Sequence, residues 1–118
     1  MDYEKLLELL DENKFVEFMN ALDSMNAVDA AELLSSVDDA TLPKIFRLMK
    51  KDTAAEIFAE LDSDTQEKVI QTMRDTEIAK FMDRLFVDDA VDMLEELPAN
   101  VVNRILKNTT PQKRQELN

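Results

Sequence analysis

The sequence predicts an all-α fold, a right- or left-handed superhelix (solenoid) of about ten short antiparallel helices. Three observations carry this. Apolar pairs recur every 12 residues, a second apolar series follows four residues after each pair, and helix-start signals fall between the units. The pairs are Leu9-Leu10, Ala21-Leu22, Leu33-Leu34, Ile45-Phe46, Ile57-Phe58, Val69-Ile70, Phe81-Met82, Met93-Leu94 and Ile105-Leu106. With 45% apolar residues, an unbroken run in one phase has a chance probability on the order of one in a million. Met25, Val37, Met49, Leu61, Met73, Leu85 and Leu97 form the second series, which only Asn13 and Thr109 interrupt.

Along the chain, Tyr3 and Phe15 are expected to close the first helix pair, and the polar first segment to cap the stack. Within each later unit the apolar positions fall at i, i+3, i+4 and i+7, as in Ala54, Ile57, Phe58, Leu61 and in Ala90, Met93, Leu94, Leu97. That is one face of a helix of about 9 residues, joined to the next by 2 or 3. Asp52 and Asp75 precede helical runs, Ser63 to Gln66 reads as a capping box, and Pro98 and Pro111 suit first turns. Thr110-Pro111 reads as a cap on the same reasoning, and Lys113 and Arg114 as the closing end of the stack. Two antiparallel helices make a 24-residue hairpin repeat: residues 29–37, 53–61 and 77–85 are three copies, and 89–97 is a fourth, shifted by one helix. Helices this short are marginal alone, so neighbouring repeats must share a core. Residues 1–118 are expected to form one domain without an internal linker. Met25, Met49 and Met73 occupy core positions of the register and are assigned to packing.

Composition bounds the chemistry. The 118 residues carry 14 basic and 26 acidic side chains, a net charge of −12, with no Gly, His, Cys or Trp. Roughly 8 Gly would be expected at average usage of about 7%. Their absence excludes a phosphate-cradling Gly-rich loop, and the absence of His and Cys removes the usual imidazole base, thiolate nucleophile and zinc ligands. The chain is not expected to be an enzyme. Its acidity disfavours nucleic acid and anionic lipid, so neither nucleic acid nor direct membrane contact is expected, and a cation is the natural small counterpart. The charged start excludes a signal peptide, and no window reaches 18 uncharged apolar residues, so a soluble chain is expected.

Two acidic stretches stand out. Asp52 to Glu67 holds six acids and no base; Asp83 to Glu96 holds six against Arg84 alone. On helical spacing, Asp88, Asp92 and Glu95 share an arc of about 60° opposite the Met93-Leu94 face. Asp52, Glu56 and Glu60 form a similar stripe. Like charges at i and i+4 repel by a few tenths of a kcal/mol. Mg²⁺, commonly held by one or two carboxylates and several waters, would relieve that repulsion, with the remaining ligands from another domain. The alternative is that the acids simply keep the outer face solvated. An offset of 36 residues, three helices, puts the stripes on opposite layers, as two separate patches.

The segments DAAELLSSV, IFRLMKKDTAAEIFAELDSDTQEKVIQTM and DDAVDMLEEL resemble the cytoplasmic N-terminal domain of MgtE-family magnesium transporters. The repeats of that family read roughly AAELLEEL, LFRLLPPEKAAEVLEEL and DDAADLLEEL. The resemblance covers nearly the whole chain, with one departure: Lys50-Lys51 stand where the family has Pro-Pro. It implies a Mg²⁺-sensing regulatory domain at the cytoplasmic face of the membrane, followed by a tandem CBS pair, a plug helix and a transmembrane pore, the whole a homodimer. The chain would be an isolated fragment ending at Asn118, near where the CBS segment begins, and monomeric by itself. Mg²⁺ would bridge acids of this domain to CBS and plug regions and hold the pore shut when the ion is abundant. By similarity, Asp88, Asp89 and Asp92, with Glu56 and Glu60, are the metal ligands, weak in the isolated domain. A different class is a protein–protein adaptor like the flagellar motor switch protein, with no ion role; the missing Gly and the lack of its EHPQ motif count against it. A carboxylate-pair hydrolase lacks any oxyanion-stabilising group beside its acids.

Overall fold

The computed structural model describes residues 3–117. Ten helices and no strand occur among them: α1 (Tyr3–Asp11), α2 (Phe15–Asp23), α3 (Ala27–Leu34), α4 (Leu42–Leu48), α5 (Lys51–Glu60), α6 (Ser63–Thr72), α7 (Asp75–Arg84), α8 (Val87–Glu96), α9 (Ala99–Asn108) and α10 (Pro111–Leu117). The all-α superhelix read from the 12-residue period is the fold observed. After the α1–α2 pair, the odd helices α3, α5, α7 and α9 stack into one layer and the even helices α4, α6, α8 and α10 into the other. The result is an elongated stack, 43 × 23 × 22 Å.

From α5 to α9 each unit is a 10-residue helix and a two-residue joint, slightly longer and tighter than the sequence suggests. Both joint residues are extended. Leu61 has φ −74° and ψ 151°, followed by Asp62 at −69° and 162°. Met73-Arg74, Leu85-Phe86 and Leu97-Pro98 repeat this conformation. A helix ending in an extended residue has no need of the left-handed position that Gly fills at most C-termini, which accounts for the Gly-free ends of α4 to α9. The second apolar series supplies the first joint residue, so Met49, Leu61, Leu85 and Leu97 are buried as plugs between layers. Thr109, which departs from that series in type, holds the same place: it is buried, and its hydroxyl donates to the Ile105 carbonyl at 2.6 Å.

Asn13 is a true interruption. It is the one residue with positive φ (60°) among those described, and it ends α1 in a Schellman turn, with the Lys14 N–H on the Leu9 carbonyl (2.7 Å) and the Asn13 N–H on that of Leu10 (3.0 Å). Asn tolerates this conformation better than other non-Gly residues.

Helix α4 also breaks the period, which would start it near residue 39. Pro43 has no N–H to bond the Asp39 carbonyl, so the first turn stays outside the helix. Asp38 closes that turn instead, accepting from the Thr41 N–H (2.8 Å) and hydroxyl (3.0 Å). These bonds hold the Asp38 carboxyl below the usual carboxylate range, the Thr41 side chain being the largest cause.

The caps differ from the sequence reading in detail. Asp62, not Ser63, caps α6, accepting from the Thr65 N–H at 2.8 Å. Gln66 is buried and donates to the Phe58 carbonyl at 3.0 Å rather than completing a capping box. Asp52 lies inside the first turn of α5, behind Lys50. Asp75 is the first residue of α7, behind Arg74, whose N–H donates to Glu77.

One core cluster runs from Phe18 to Ile105, and none of the paired register positions is exposed. At its centre Phe58 is fully buried between Phe46 and Phe81, edge to face, at ring-centroid distances of 6.4 and 4.7 Å. Each such side chain contributes about 1.5–3 kcal/mol by burial alone. Tyr3 does more than close the first pair, since its hydroxyl reaches the Asp29 carbonyl on α3. Long cations finish helix ends three helices away. Arg104 on α9 donates to the Ile70 carbonyl (3.0 Å) and to the Met73 carbonyl at the end of α6, and Lys113 on α10 donates to the Leu85 carbonyl (2.6 Å) at the end of α7.

Candidate cation-binding groove

A groove of about 740 Å³ opens between α5, the end of α7 and the start of α8. Its formation follows from side-chain size. Ala55 and Ala59 on α5 and Ala27 on α3 leave space that a longer residue would fill. Asp52, Glu56 and Glu60, spaced by one turn, line it from α5; Asp83 and Arg84 line it from α7, and Asp89 from α8. Arg84 reaches across, with its Nη1 3.3 Å from Asp52 Oδ1. That leaves Glu56, Glu60, Asp83 and Asp89 as lining acids with no ion pair inside 4 Å among the described residues. Phe86, 73% exposed, stands at the rim.

A second hollow of about 280 Å³ adjoins it and shares Ala59 and Asp89. Asp62, Asp92 and Glu96 line this one. The backbone N–H and hydroxyl of Thr65, in that order, hold the Asp62 carboxyl below the ordinary carboxylate range.

Glu56, Glu60 and Asp89 therefore meet in one groove, Asp89 and Asp92 share the next, and Asp88 lies exposed on α8 and lines neither. The separation of the two stripes into independent patches does not hold. They do lie on different layers, but α5 packs across the layers on α8, three helices on, as α6 does on α9. A period of 12 residues gives the layer of each helix, while cross-layer neighbours depend on how the stack winds. Asp83 joins the acids from α7, the neighbour of α5 in its own layer, and Asp62 and Glu96 line the second hollow from the cap of α6 and from α8, neighbours in the other. The lone base of the second acidic stretch, Arg84, was the one sequence signal that this surface needed internal charge compensation.

Among the described residues, no three acids converge closely enough to enclose a metal ion. The carboxylates are instead spread along an open surface. Such a surface fits a hydrated divalent ion held by one or two carboxylates, which is the ordinary habit of Mg²⁺, and does not fit a dehydrated all-protein cage.

Short helices stacked in two layers, with an open acidic groove across them, define a helical-repeat domain built to present surface rather than to enclose a substrate. No helix among the described residues is long and apolar enough to cross a membrane. The family model of the MgtE intracellular N domain matches residues 25–118, and the chain belongs to that family. The fold is that of the crystal structure of the soluble part of a magnesium transporter, with a TM-score of 0.81 over 98% of this chain at 19% identity. The chain spans 46% of the length of that structure. Curated protein sequences give no significant match.

Proposed function

We propose that residues 1–118 form the cytosolic Mg²⁺-sensing regulatory domain of a magnesium transporter, without catalytic activity of their own. The observation that carries this reading is the joining of Glu56, Glu60 and Asp89 on one open groove with a single nearby cation, Arg84. Carboxylates that repel one another across an open surface favour a divalent ion, and an incomplete ligand set favours one shared with another domain. When cytosolic Mg²⁺ is high, Glu60 and Asp89 hold the ion from this side, Glu56 and Asp92 extend the acidic surface around it, and carboxylates of the CBS and plug regions complete the shell. The closed arrangement then keeps the pore shut. When Mg²⁺ falls, uncompensated repulsion separates the domains, and the groove returns to water. Asp88, outside both hollows, belongs to the solvated face in this scheme.

The test is Mg²⁺-dependent inhibition of transport by the full transporter carrying this domain. Glu60→Gln with Asp89→Asn is expected to raise the Mg²⁺ concentration for half-inhibition by about tenfold, the loss of roughly 1.4 kcal/mol of coupling, with conduction at low Mg²⁺ unchanged. Inhibition indistinguishable from wild type would return the groove acids to the solvated-face role.

A further inference from the structure

The face built by α4, α5 and α7 has the opposite character from the acidic groove. From Leu42 to Lys51 the chain carries four bases and no acid. A cleft of about 200 Å³ there has an apolar floor that includes Phe46, Met49, Met73 and Phe81, with Arg47, Lys51 and Lys80 at its rim. Its one acid, Glu77, is already engaged: it accepts from the Arg74 N–H (3.2 Å) and lies 4.0 Å from Arg47. Lys51 and Lys80 have no carboxylate within 4 Å among the described residues, and neither do the neighbouring Lys44 and Lys50 or, at the far end of the stack, Lys107 and Arg114. In a chain of net charge −12, two unmatched lysines, Lys51 and Lys80, at the rim of an apolar floor are a local reversal of sign.

Two further features narrow what fits. Lys50 gives α5 no side-chain cap, so the first N–H groups of that 10-residue helix have no side-chain acceptor, beside Lys50 and Lys51. A shallow apolar hollow adjoins the cleft through Arg47, formed by Phe15, Lys44 and Leu48, the last 62% exposed. A ligand that uses both depressions needs two apolar anchors separated by acidic groups. A small anion has no such anchors, and a peptide has them at regular spacing.

We infer that this cleft is a docking site for an acidic, amphipathic peptide segment of a protein partner, whose apolar side chains enter the Phe46–Phe81 floor and the Phe15–Leu48 hollow and whose carboxylates face Arg47, Lys51, Lys80 and the start of α5. The occupant is argued from charge complementarity, and the site is independent of the Mg²⁺ reading, since it shares no lining residue with the acidic groove.

The experiment uses the 118-residue chain and a fluorescein-labelled synthetic peptide of about 14 residues, with Leu and Phe anchors at i and i+4 set among Glu, read by fluorescence anisotropy. Saturable binding is expected, weakened about tenfold or more by Lys51→Glu with Lys80→Glu and likewise by replacing the peptide anchors with Ser. Amide resonances of residues 46–51 and 73–81 should shift on titration. Lys51→Ala with Lys80→Ala serves should the charge reversals unfold the chain. Absence of saturable binding, equal binding by the double variants, or equal binding of the anchorless peptide overturns the proposal. Two other results also overturn it by naming a different occupant: co-sedimentation with phosphatidylglycerol vesicles that Lys51→Glu abolishes while the peptide does not bind, or self-association of the chain alone that the same substitution abolishes.

Discussion

Arg84 on α7 and Asp52 on α5 form a 3.3 Å ion pair across the mouth of the acidic groove, tying together two helices of one layer beside Glu56, Glu60, Asp83 and Asp89. Both side chains are more than half exposed, so the pair adds little to stability, on the order of 0–1 kcal/mol. Its effect is on the field inside the groove.

Arg84→Gln is therefore expected to leave the urea midpoint nearly unchanged while enlarging the rise in melting temperature produced by Mg²⁺ relative to NaCl at equal ionic strength. Paired thermal melts measure this. An Mg²⁺ increment that stays the same or shrinks would mean that Arg84 does not compete with the cation for the groove.

Phe58→Ala should cost roughly 3–5 kcal/mol, because it removes the ring on which Phe46 and Phe81 both pack edge to face and leaves a cavity between the layers. Urea unfolding followed by circular dichroism reads the loss. A cost under about 1 kcal/mol would be incompatible with a core position.

The 12-residue register made Phe58 legible as core, and with it every helix from α5 to α9, because stacked repeats impose one spacing on residues that face one another. The register also located its own two departures, Asn13 and Thr109, but not their causes. A left-handed turn at Asn13 and a hydroxyl returned to Ile105 are matters of backbone geometry, not of apolar content. The delayed start of α4 was written in Pro43, yet only the Asp38–Thr41 turn shows how the chain fills the gap. For the candidate site, the acids on each helix were legible and their assembly was not. Glu60 and Asp89 share a groove because α5 crosses to α8, a contact fixed by the winding of the stack.

Substitutions at Asn13 should separate backbone strain from side-chain content. Asn13→Gly is expected to be neutral or stabilising by up to about 1 kcal/mol, and Asn13→Val destabilising by about 1–2 kcal/mol, since a β-branched residue at φ 60° carries the full left-handed penalty. Chemical denaturation of the two variants in parallel provides the check, and equal stability would show that the turn relaxes.

The caps at Asp38 and Asp62 make a pH prediction whose sign is fixed. Both carboxyls are held below their ordinary value, by the Thr41 side chain and by the Thr65 backbone N–H respectively. A depressed folded value means stabilisation that is fully present above the unfolded value of about 3.9 and lost as pH falls through the lower folded value. Asp62→Ala should destabilise the domain at pH 7 by about 1 kcal/mol, the usual worth of such a cap. The difference from wild type should narrow below about pH 4. A difference that persists undiminished in acid would assign the effect of Asp62 to something other than its ionised cap.

The placement of Asp88 outside the groove that holds Glu56, Glu60 and Asp89 gives a comparison internal to one helix. Asp88 and Asp89 are neighbours with the same charge, so substituting either changes net charge, helix propensity and long-range repulsion almost equally. Only Asp89 lines the groove. If Mg²⁺ acts merely by screening 26 acids, Asp88→Asn and Asp89→Asn should reduce the Mg²⁺-dependent rise in melting temperature by the same small amount. If the ion sits between α5 and α8, Asp89→Asn should remove most of the increment and Asp88→Asn little of it, and Glu60→Gln should act like Asp89→Asn. Because Glu60 and Asp89 would then hold one ion, the double substitution should cost no more of the increment than either alone, the non-additivity expected of partners at one site. Differential scanning calorimetry of wild type and the four variants in millimolar Mg²⁺, against NaCl of matched ionic strength, reads all of these at once. Equal effects at positions 88 and 89 would leave screening as the whole of the response and withdraw the groove from any specific cation role.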